Sequence, residues 1–333
     1  MDKFIKKVAY FLILLIILSL PLDYTISYFL KNSFVYPGEL EVMNDIYNRK
    51  ANCEIAIYGS SRAWVHINPK LIEDSLNQKA YNFGIDGHNF WLQYLRHIEY
   101  IKHNDRPKLI VLSVDMFSLM KRKDLYQPNQ FLPFMLWNKN ITRFTSSYVG
   151  FSKTDYYIPL IRYIGKATAL NSALETAFKS TIKKSNIPPI RHKGFAGMDR
   201  EWNKDLEKAK SNKIEYEIKL DMNSINLFED FIKECQKTKV ELILVYTPEY
   251  IEGQNFVANR DNIIRVYKEF SVKYHLQFFD YSTDEICFNK SLFYNASHLN
   301  KYGADLFTNK LIGDLKARTH NNMFVPGGGS VSQ

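Results

Sequence analysis

The segment Glu54-Ile55-Ala56-Ile57-Tyr58-Gly59-Ser60-Ser61-Arg62 contains a short apolar run that ends in a turn of small residues. A β-branched run of this length without polar alternation is typical of a buried parallel strand. Gly59 and the two serines after it permit a sharp turn where that strand ends. We therefore expect the Ser61 hydroxyl at the carboxyl edge of a sheet, where α/β proteins bind their ligands.

Four further apolar runs have the same character, so the sequence predicts about five parallel strands. The five predicted strands are Ile55–Tyr58, Ala80–Phe83, Leu109–Val114, Leu242–Tyr246 and Leu276–Phe279. Segments of helical periodicity separate them. Alternating strands and helices indicate right-handed crossovers and a sheet covered by helices on both faces. The fold predicted for residues 50–318 is therefore a doubly wound, flavodoxin-like α/β domain.

The alternation breaks after the third predicted strand, over residues 116–222. This insertion is rich in aromatic residues, asparagine and lysine, and a helix is predicted within it over 159–183. Insertions of this length in a compact domain tend to be functional. Because it leaves the carboxyl end of the sheet, it could form a lid or a substrate wall, or it could serve packing alone. Residues 319–333 are predicted to be a flexible tail.

Residues 1–31 are predicted to form a membrane anchor. Three lysines precede an uncharged stretch from Val8 to Leu22, Asp23 interrupts it, and apolar residues resume as far as Leu30. A spanning helix needs about 20 apolar residues, so a cleaved signal peptide and a buried core helix compete with the anchor. No small-x-small cleavage site follows Leu22, which favours the anchor. The lysines place the N-terminus in the cytoplasm and the domain in the periplasm or outside the cell.

The net charge of +9 is not accompanied by a nucleic-acid-binding motif. Much of the excess lies in the N-terminal lysines and in residues 179–193, which we interpret as a solvated basic face or a contact for anionic lipid or glycan. Three cysteines (Cys53, Cys235 and Cys287) are an odd number without metal-ligand spacing, which argues against a disulfide framework and a zinc site. The sequence also lacks a glycine-rich dinucleotide fingerprint, and it implies no cofactor.

A second motif, Asn295-Ala296-Ser297-His298-Leu299-Asn300, lies on a polar loop before the last predicted helix. In a doubly wound fold this loop returns toward the first strand, which makes His298 a candidate general base for Ser61. A serine and an imidazole are the minimum for nucleophilic acyl transfer. Taken alone, the histidine could be structural, and Gly-Ser-Ser could be a plain turn or a phosphate loop, although a phosphate loop would need more glycines and a lysine.

The turn after the second predicted strand, Asn82-Phe83-Gly84-Ile85-Asp86-Gly87-His88-Asn89, brings two glycines to the same edge of the sheet. Its backbone N–H groups are candidate oxyanion donors, each worth roughly 3 kcal/mol of transition-state stabilisation. A plain helix-entry turn is the alternative interpretation. In the first motif, Arg62 could anchor an acidic substrate or cap its own turn.

Together these motifs resemble the SGNH (GDSL-like) hydrolase superfamily. Gly59-Ser60-Ser61 is similar to its first block, Gly-Asp-Ser, which implies that Ser61 is the nucleophile. Gly87 is similar to the second-block glycine, which donates an oxyanion N–H in that superfamily. His298 matches the histidine of the closing Asp-x-x-His block. The resemblance covers residues 54–318 apart from the insertion.

With its N-terminal anchor, the chain most resembles the membrane-tethered branch related to DltD and to alginate acetylation proteins. Relatives there transfer or remove acyl groups on cell-surface polymers, often beside a membrane-bound O-acyltransferase. The resemblance implies a membrane-anchored, extracytoplasmic serine esterase or O-acyltransferase whose substrate is an acylated cell-envelope polysaccharide or polymer. It also implies membrane lipid and a membrane-bound O-acyltransferase as partners. The alternative is a non-catalytic protein of this fold that binds polysaccharide or scaffolds envelope assembly.

One departure from the family pattern lies three residues before the histidine, where Asn295 replaces aspartate. A neutral amide can orient an imidazole, but it cannot stabilise an imidazolium by charge. In serine proteases the change from aspartate to asparagine costs about 10⁴ in kcat, although Cys-His-Asn enzymes work with an asparagine. Asp280 or Asp284, after the fifth predicted strand, could instead supply the carboxylate.

A second departure lies at the end of the third predicted strand, where Asp115 occupies about the place of an asparagine that completes the oxyanion hole in the family. A carboxylate facing an oxyanion would be unfavourable. Three alternatives follow from this. Asp115 points elsewhere, Asn82 or Asn89 takes the role, or the hole has only two donors.

Overall fold

A computed structural model describes residues 1–36, 38–182, 191–212 and 215–323. Five parallel strands form its central sheet in the order β2-β1-β3-β4-β5. They are β1 (Ile55–Tyr58), β2 (Ala80–Asn82), β3 (Leu109–Val114), β4 (Glu241–Tyr246) and β5 (Gln277–Asp280). This is the flavodoxin-like order, whose switch point lies between β1 and β3. The predicted five-stranded parallel sheet is confirmed.

Helices and short turns connect the strands. The first half of the chain contains α1 (Asp2–Lys31), α2 (Glu39–Tyr47), α3 (Ser61–His66), α4 (Pro69–Leu76) and α5 (Phe90–His103). Between β3 and β4 lie α6 (Leu132–Met135), α7 (Lys139–Thr145), α8 (Lys153–Tyr157), α9 (Ala167–Ile182), α10 (Asp205–Ser211) and α11 (Met222–Lys237), with 3₁₀ turns at Pro128–Phe131 and Ile161–Tyr163. After β4 come α12 (Ile251–Gln254), α13 (Arg260–Tyr274), 3₁₀ turns at Glu285–Phe288 and Lys290–Leu292, the hairpin β6 (Phe293–Asn295) and β7 (His298–Leu299), and α14 (Lys301–Met323).

Successive residues of the central strands face two separate hydrophobic cores, as the alternation of side chains along a strand requires. Ile110 and Leu244 face one core, which is completed by α2, α5, α11, α13 and much of the insertion. Val111 and Val245 face the other core, which is completed by α3, α4 and α14. Because both faces are covered, the strands contain few polar residues, and this produced the unalternating pattern in the sequence.

The insertion contains less continuous helix than its sequence predicts. The helix predicted over 159–183 begins only at Ala167, because Leu160 has a φ of 69° and a 3₁₀ turn follows it. Toward the C-terminus the last helix reaches Met323, so it includes the first five residues of the predicted tail. Residues 324–333 of the predicted tail lie outside the described part of the chain.

The N-terminal helix α1 is continuous over 30 residues, although it contains Pro21 and Asp23. By length and composition it could cross a membrane or serve as a signal sequence. Its N-terminal half exposes apolar side chains, whereas Asp23, Ser27 and Leu30 are buried against the insertion. The helix therefore has two parts, one exposed and apolar and one packed on the domain.

A buried ion pair joins α1 to the insertion. The Arg162 guanidinium donates to both carboxylate oxygens of Asp23 at 2.8 and 2.6 Å, and it also reaches Ser27 Oγ at 3.0 Å and the Leu132 carbonyl at 2.6 Å. The Asp23 and Arg162 side chains are 3% and 1% exposed. A buried charge is tolerated only when it is paired and hydrogen-bonded. This pair explains why an aspartate interrupts an otherwise apolar helix.

Replacing Asp23 tests the energetic weight of this ion pair. Asp23→Ala leaves the Arg162 cation buried without its partner, which should lower the free energy of unfolding by about 3–5 kcal/mol. Chemical denaturation of the full-length protein in detergent measures the loss. Asp74→Ala, which breaks the exposed i,i+4 pair with Lys70, is the control and should cost only about 0.3–0.5 kcal/mol. Equal losses in the two variants would contradict the assignment.

Candidate active site

Ser61 and His298 lie in hydrogen-bond contact although 237 residues separate them in the chain. Ser61 is the first residue of α3, directly after β1 and its turn, and His298 lies in β7. The distance from His298 Nε2 to Ser61 Oγ is 2.8 Å. The sheet order and the β6–β7 hairpin therefore bring together the serine and the histidine that the two sequence motifs single out.

The turn between β1 and α3 requires a glycine. Gly59 has a φ of 150°, and a Cβ at this position would lie 2.7 Å from both the Ala63 Cβ and the Ser113 carbonyl oxygen. Such approaches are sterically forbidden, so only glycine lets α3 start this close to β3. Ser60 caps the helix by accepting a hydrogen bond from the Arg62 N–H at 3.3 Å. The first motif thus positions Ser61 at the carboxyl end of β1.

Asn295 defines the tautomer of the His298 imidazole. Asn295 Oδ1 accepts hydrogen bonds from the Ser297 N–H at 3.0 Å and from His298 Nδ1, also at 3.0 Å. An amide oxygen only accepts, so Nδ1 carries the proton and Nε2 has the lone pair. The unprotonated nitrogen therefore accepts the hydrogen bond of the Ser61 hydroxyl.

The two alternative carboxylates are engaged elsewhere, and this corrects the prediction that either could orient His298. Asp280 accepts the Ser282 N–H at 3.1 Å. Asp284 caps the following 3₁₀ turn and forms an ion pair with Lys310. Both aspartates satisfy local backbone and lysine partners, which is the usual role of aspartate after a strand. The position beside His298 Nδ1 belongs to Asn295.

The electrostatic surroundings keep the His298 imidazole neutral. Burial lowers its pKa to about 4, the Arg62 cation lowers it as well, and the Glu249 carboxylate opposes them. An imidazole with this pKa is uncharged at neutral pH. It can therefore take a proton from Ser61 without first losing one to solvent.

Arg62 is buried in an ion pair, so the prediction that it could anchor an acidic substrate is corrected. Its Nη1 lies 2.9 Å from Glu249 Oε1, and its Nε donates to Thr247 Oγ1 at 3.1 Å. Glu249 also pairs with Arg260 at 2.8 Å and accepts the Tyr246 hydroxyl at 2.5 Å. Burial alone would raise the pKa of Glu249, but Arg62 and Arg260 hold it below its usual value. The Arg62 charge is therefore neutralised inside the protein.

His66 is a functional candidate that the sequence motifs missed. It is fully buried, its Nε2 accepts the Leu299 N–H at 3.1 Å, and its Nδ1 lies 2.9 Å from Thr247 Oγ1. Burial, Arg62 and His298 place the pKa of His66 well below its usual value, so it is neutral. Since Leu299 follows His298, this hydrogen bond fixes the hairpin that carries the candidate base. Both partners lie far along the chain, so no local spacing marks His66.

The candidate oxyanion donors are the backbone N–H groups of Ser61 and Gly87. Gly87 has a φ of 68°, and a Cβ there would lie 2.6 Å from the Tyr126 ring, so glycine is required. Asn82 is not available as a donor, because its Nδ2 donates to the Ala63 and Ile67 carbonyls at 2.8 Å. This corrects the prediction that Asn82 could complete the hole. The Asn89 side chain likewise donates to the carbonyl of Met120.

Asp115 lies beside Ser60 and accepts its hydroxyl hydrogen bond. Its Oδ2 accepts the Ser60 hydroxyl at 2.5 Å, and its Oδ1 accepts the Phe117 N–H at 2.8 Å. Each carboxylate oxygen thus already has a donor, which reduces the repulsion that an approaching oxyanion would meet. The structure places Asp115 in the cavity wall as an acceptor for the turn of the first motif.

A cavity of about 330 Å³ opens over Ser61 and His298. The start of the insertion supplies an apolar wall, Phe117 and Met120, and one cation, Arg122. Ligand pockets are generally apolar with a few placed polar groups, and this cavity has that composition. Among the residues that the structure describes, no group of histidine, cysteine or carboxylate side chains could hold a metal ion.

Comparison with known proteins finds distant similarities of fold. No family model and no curated protein matches the chain. The acetyl xylan esterase AlAXEase is similar over 78% of this chain and 99% of its own, at 12% identity and a TM-score of 0.40. A GDSL-like lipase from Bacteroides thetaiotaomicron VPI-5482 is similar over 80% of this chain and 90% of its own, at 11% identity and a TM-score of 0.30.

Removing the His66 imidazole tests its hold on the hairpin. His66→Ala leaves the buried Leu299 N–H without its acceptor, which should cost about 1–3 kcal/mol of stability. Native-state hydrogen exchange should show faster exchange at Leu299. The exposed His275, whose φ is 54°, provides the control, because His275→Asn tolerates that conformation and should unfold like the wild type. Unchanged exchange at Leu299 in His66→Ala would show that the contact does not hold the hairpin.

Proposed function

We propose that the protein is a serine hydrolase or acyltransferase of the SGNH type that acts on ester bonds. The observation that carries this proposal is the line of hydrogen bonds from Asn295 through His298 to Ser61, at 3.0 and 2.8 Å. A serine whose hydroxyl donates to a neutral, oriented imidazole is the arrangement that general-base activation needs.

The reaction follows from the positions of these groups. Ser61 Oγ attacks the ester carbonyl carbon while its proton moves to His298 Nε2. The negative charge that develops on the carbonyl oxygen is stabilised by the N–H groups of Ser61 and Gly87, each worth roughly 3 kcal/mol. The imidazolium then protonates the departing alcohol, which leaves an acyl group on Ser61. Water or a sugar hydroxyl, deprotonated by the same imidazole, releases that acyl group by hydrolysis or transfer.

We further propose that the substrate is an acyl ester of a cell-envelope polysaccharide or similar polymer. In this proposal α1 anchors the protein, its N-terminal lysines stay in the cytoplasm, and the domain lies outside. The small cavity, with Phe117 and Met120 as its apolar wall, suits the acyl group. Arg122 at the same cavity suits an acidic polymer.

A non-catalytic polymer-binding protein of the same fold is the second candidate function. Asp115 is the observation that favours it, because a carboxylate lines the cavity where the family has an asparagine that donates to the oxyanion. A binding protein would keep the cavity and need no reactive hydroxyl. Labelling of the serine separates the two functions.

Covalent labelling with a fluorophosphonate tests the nucleophile. The wild type should react at Ser61, and Ser61→Ala should not react. His298→Ala should label about 10²–10⁴-fold more slowly, the usual contribution of a general base. Ser211→Ala, which removes an exposed serine at the end of α10, should label like the wild type. A wild type that stays unlabelled, or equal labelling of Ser61→Ala, would favour the binding protein.

The pH profile of ester hydrolysis tests the role of Asn295. With a His298 pKa of about 4, kcat/KM should rise as the imidazole loses its proton near pH 4 and then stay level to neutrality. Asn295→Asp places a negative charge beside Nδ1, which favours the charged imidazole and should move the acid limb up by about 1–3 pH units. Asn295→Ala is the control and should lower kcat/KM without moving the acid limb to higher pH. An unmoved limb in Asn295→Asp would exclude His298 as the titrating base.

A further inference from the structure

The uncharged stretch of α1 is shorter than the hydrocarbon core of a bilayer is thick. The uncharged stretch from Val8 to Leu22 has 15 residues, which corresponds to about 22 Å of helix at 1.5 Å per residue. The hydrocarbon core is about 30 Å thick and needs about 20 residues. A span that starts at Val8 therefore reaches about Ser27. Asp23 and the packed part of α1 would then lie at the depth of the outer leaflet.

At this depth α1 is not alone, because the insertion packs along it. Asp23 accepts hydrogen bonds from Arg162 and from the Leu160 N–H at 2.7 Å, and Ser27 Oγ lies 2.7 Å from the Tyr163 hydroxyl. Helix α9 also lies against α1, with Ala169 fully buried. Small residues at a helix contact let two backbones approach closely. The segment from Leu160 into α9 therefore lies at the same depth in the membrane as this part of α1.

Three large apolar side chains of this segment face outward. Ile164, Leu174 and Phe178 are 71%, 68% and 68% exposed. Leu174 and Phe178 are four residues apart and share one stripe of α9. The neighbouring stripe carries Glu175 and Lys179, which form an exposed ion pair. An apolar stripe beside a charged one is typical of a helix that lies in a membrane interface.

A groove between α1 and the insertion continues this apolar surface. It has a volume of about 450 Å³, and its lining is formed by Leu160 together with six side chains of α1. These are Phe11, Leu14, Leu15, Leu18, Ser19 and Leu22. Leu160 therefore reaches the part of α1 that lies inside the predicted span. The apolar surface of the insertion is continuous with that of the anchor.

We propose that the insertion forms a second membrane contact, in which Ile164, Leu174 and Phe178 lie among the acyl chains of the outer leaflet beside α1. This rests on the part of the proposed function that has α1 cross the membrane, and it is independent of the esterase chemistry. Because the Asp23–Arg162 pair is buried inside the protein, neither charge faces lipid, and the contact carries no cost for placing a bare charge in the membrane. The domain is then held to the bilayer by two elements instead of one.

Lipid quenching of a fluorophore tests this contact in the full-length protein. Leu174→Cys and Phe178→Cys, labelled with an environment-sensitive dye, are reconstituted in phosphatidylcholine vesicles that contain doxyl-labelled phosphatidylcholine. Their emission should shift to the blue and be quenched, as should that of Leu14→Cys on α1. Glu175→Cys and Lys179→Cys, on the charged stripe of the same helix, are the matched controls and should be quenched far less. The three native cysteines are buried, and labelled wild type measures their background.

The possible outcomes distinguish the second membrane contact from the anchoring of α1. Quenching at Leu14→Cys without quenching at positions 174 and 178 would overturn the second contact while leaving α1 in the membrane, and it would assign the apolar stripe to a protein partner. Failure of all three labels to be quenched would overturn the anchor itself and the contact with it. Equal quenching at 174, 178 and the polar controls would contradict an oriented interfacial helix. Fluorophosphonate labelling of the same samples reports separately on the esterase site.

Discussion

A buried layer of hydrogen bonds at the end of β4 holds the serine and the histidine in contact. Arg62 and His66, both on α3, reach the same Thr247 hydroxyl at 3.1 and 2.9 Å, and His66 also accepts the Leu299 N–H at 3.1 Å. Because α3 starts with Ser61 and Leu299 follows His298, this layer sets both ends of the 2.8 Å contact. A misplacement of about 1 Å can cost 10²-fold in rate, so the layer bears on chemistry as well as on stability.

The burial that keeps His298 neutral also makes its charged form costly. Asn295 offers only a dipole to the imidazolium, and the nearby Glu249 carboxylate is already paired with Arg62 and Arg260. An aspartate in place of Asn295 would stabilise that charge directly, and proteases lose about 10⁴ in kcat without it. If the protein is the proposed enzyme, we therefore expect it to have a low rate of reaction once the substrate is bound. Under the proposed function, tethering of enzyme and polymer to one surface would offset this slow rate, because it raises their effective concentration to the millimolar range.

The sequence predicted the features that local patterns determine. The strands could be predicted because both faces of the sheet are buried. Ser61 and His298 could be predicted because each lies in a distinctive short motif next to a strand or helix. His66 and the Arg62–Glu249 pair were not predictable, because their partners lie far away in sequence and obey no spacing rule. Asp280 and Asp284 were plausible by position alone. Asp284 caps a 3₁₀ turn and pairs with Lys310, and the lysine lies too far along the chain for a local pattern to show it.

The insertion connects the candidate site to α1, the proposed membrane anchor, through one packed body. Three of its first residues, Phe117, Met120 and Arg122, line the cavity, and its later residues pack on α1. Between them, Leu132, Phe144 and Tyr156 are at most 1% exposed, so the two ends share a single core. Packed interiors transmit displacement instead of absorbing it. If α1 is the anchor that we propose, this joint fixes the orientation of the cavity, and a polymeric ester would have to approach at one height and angle to reach Ser61.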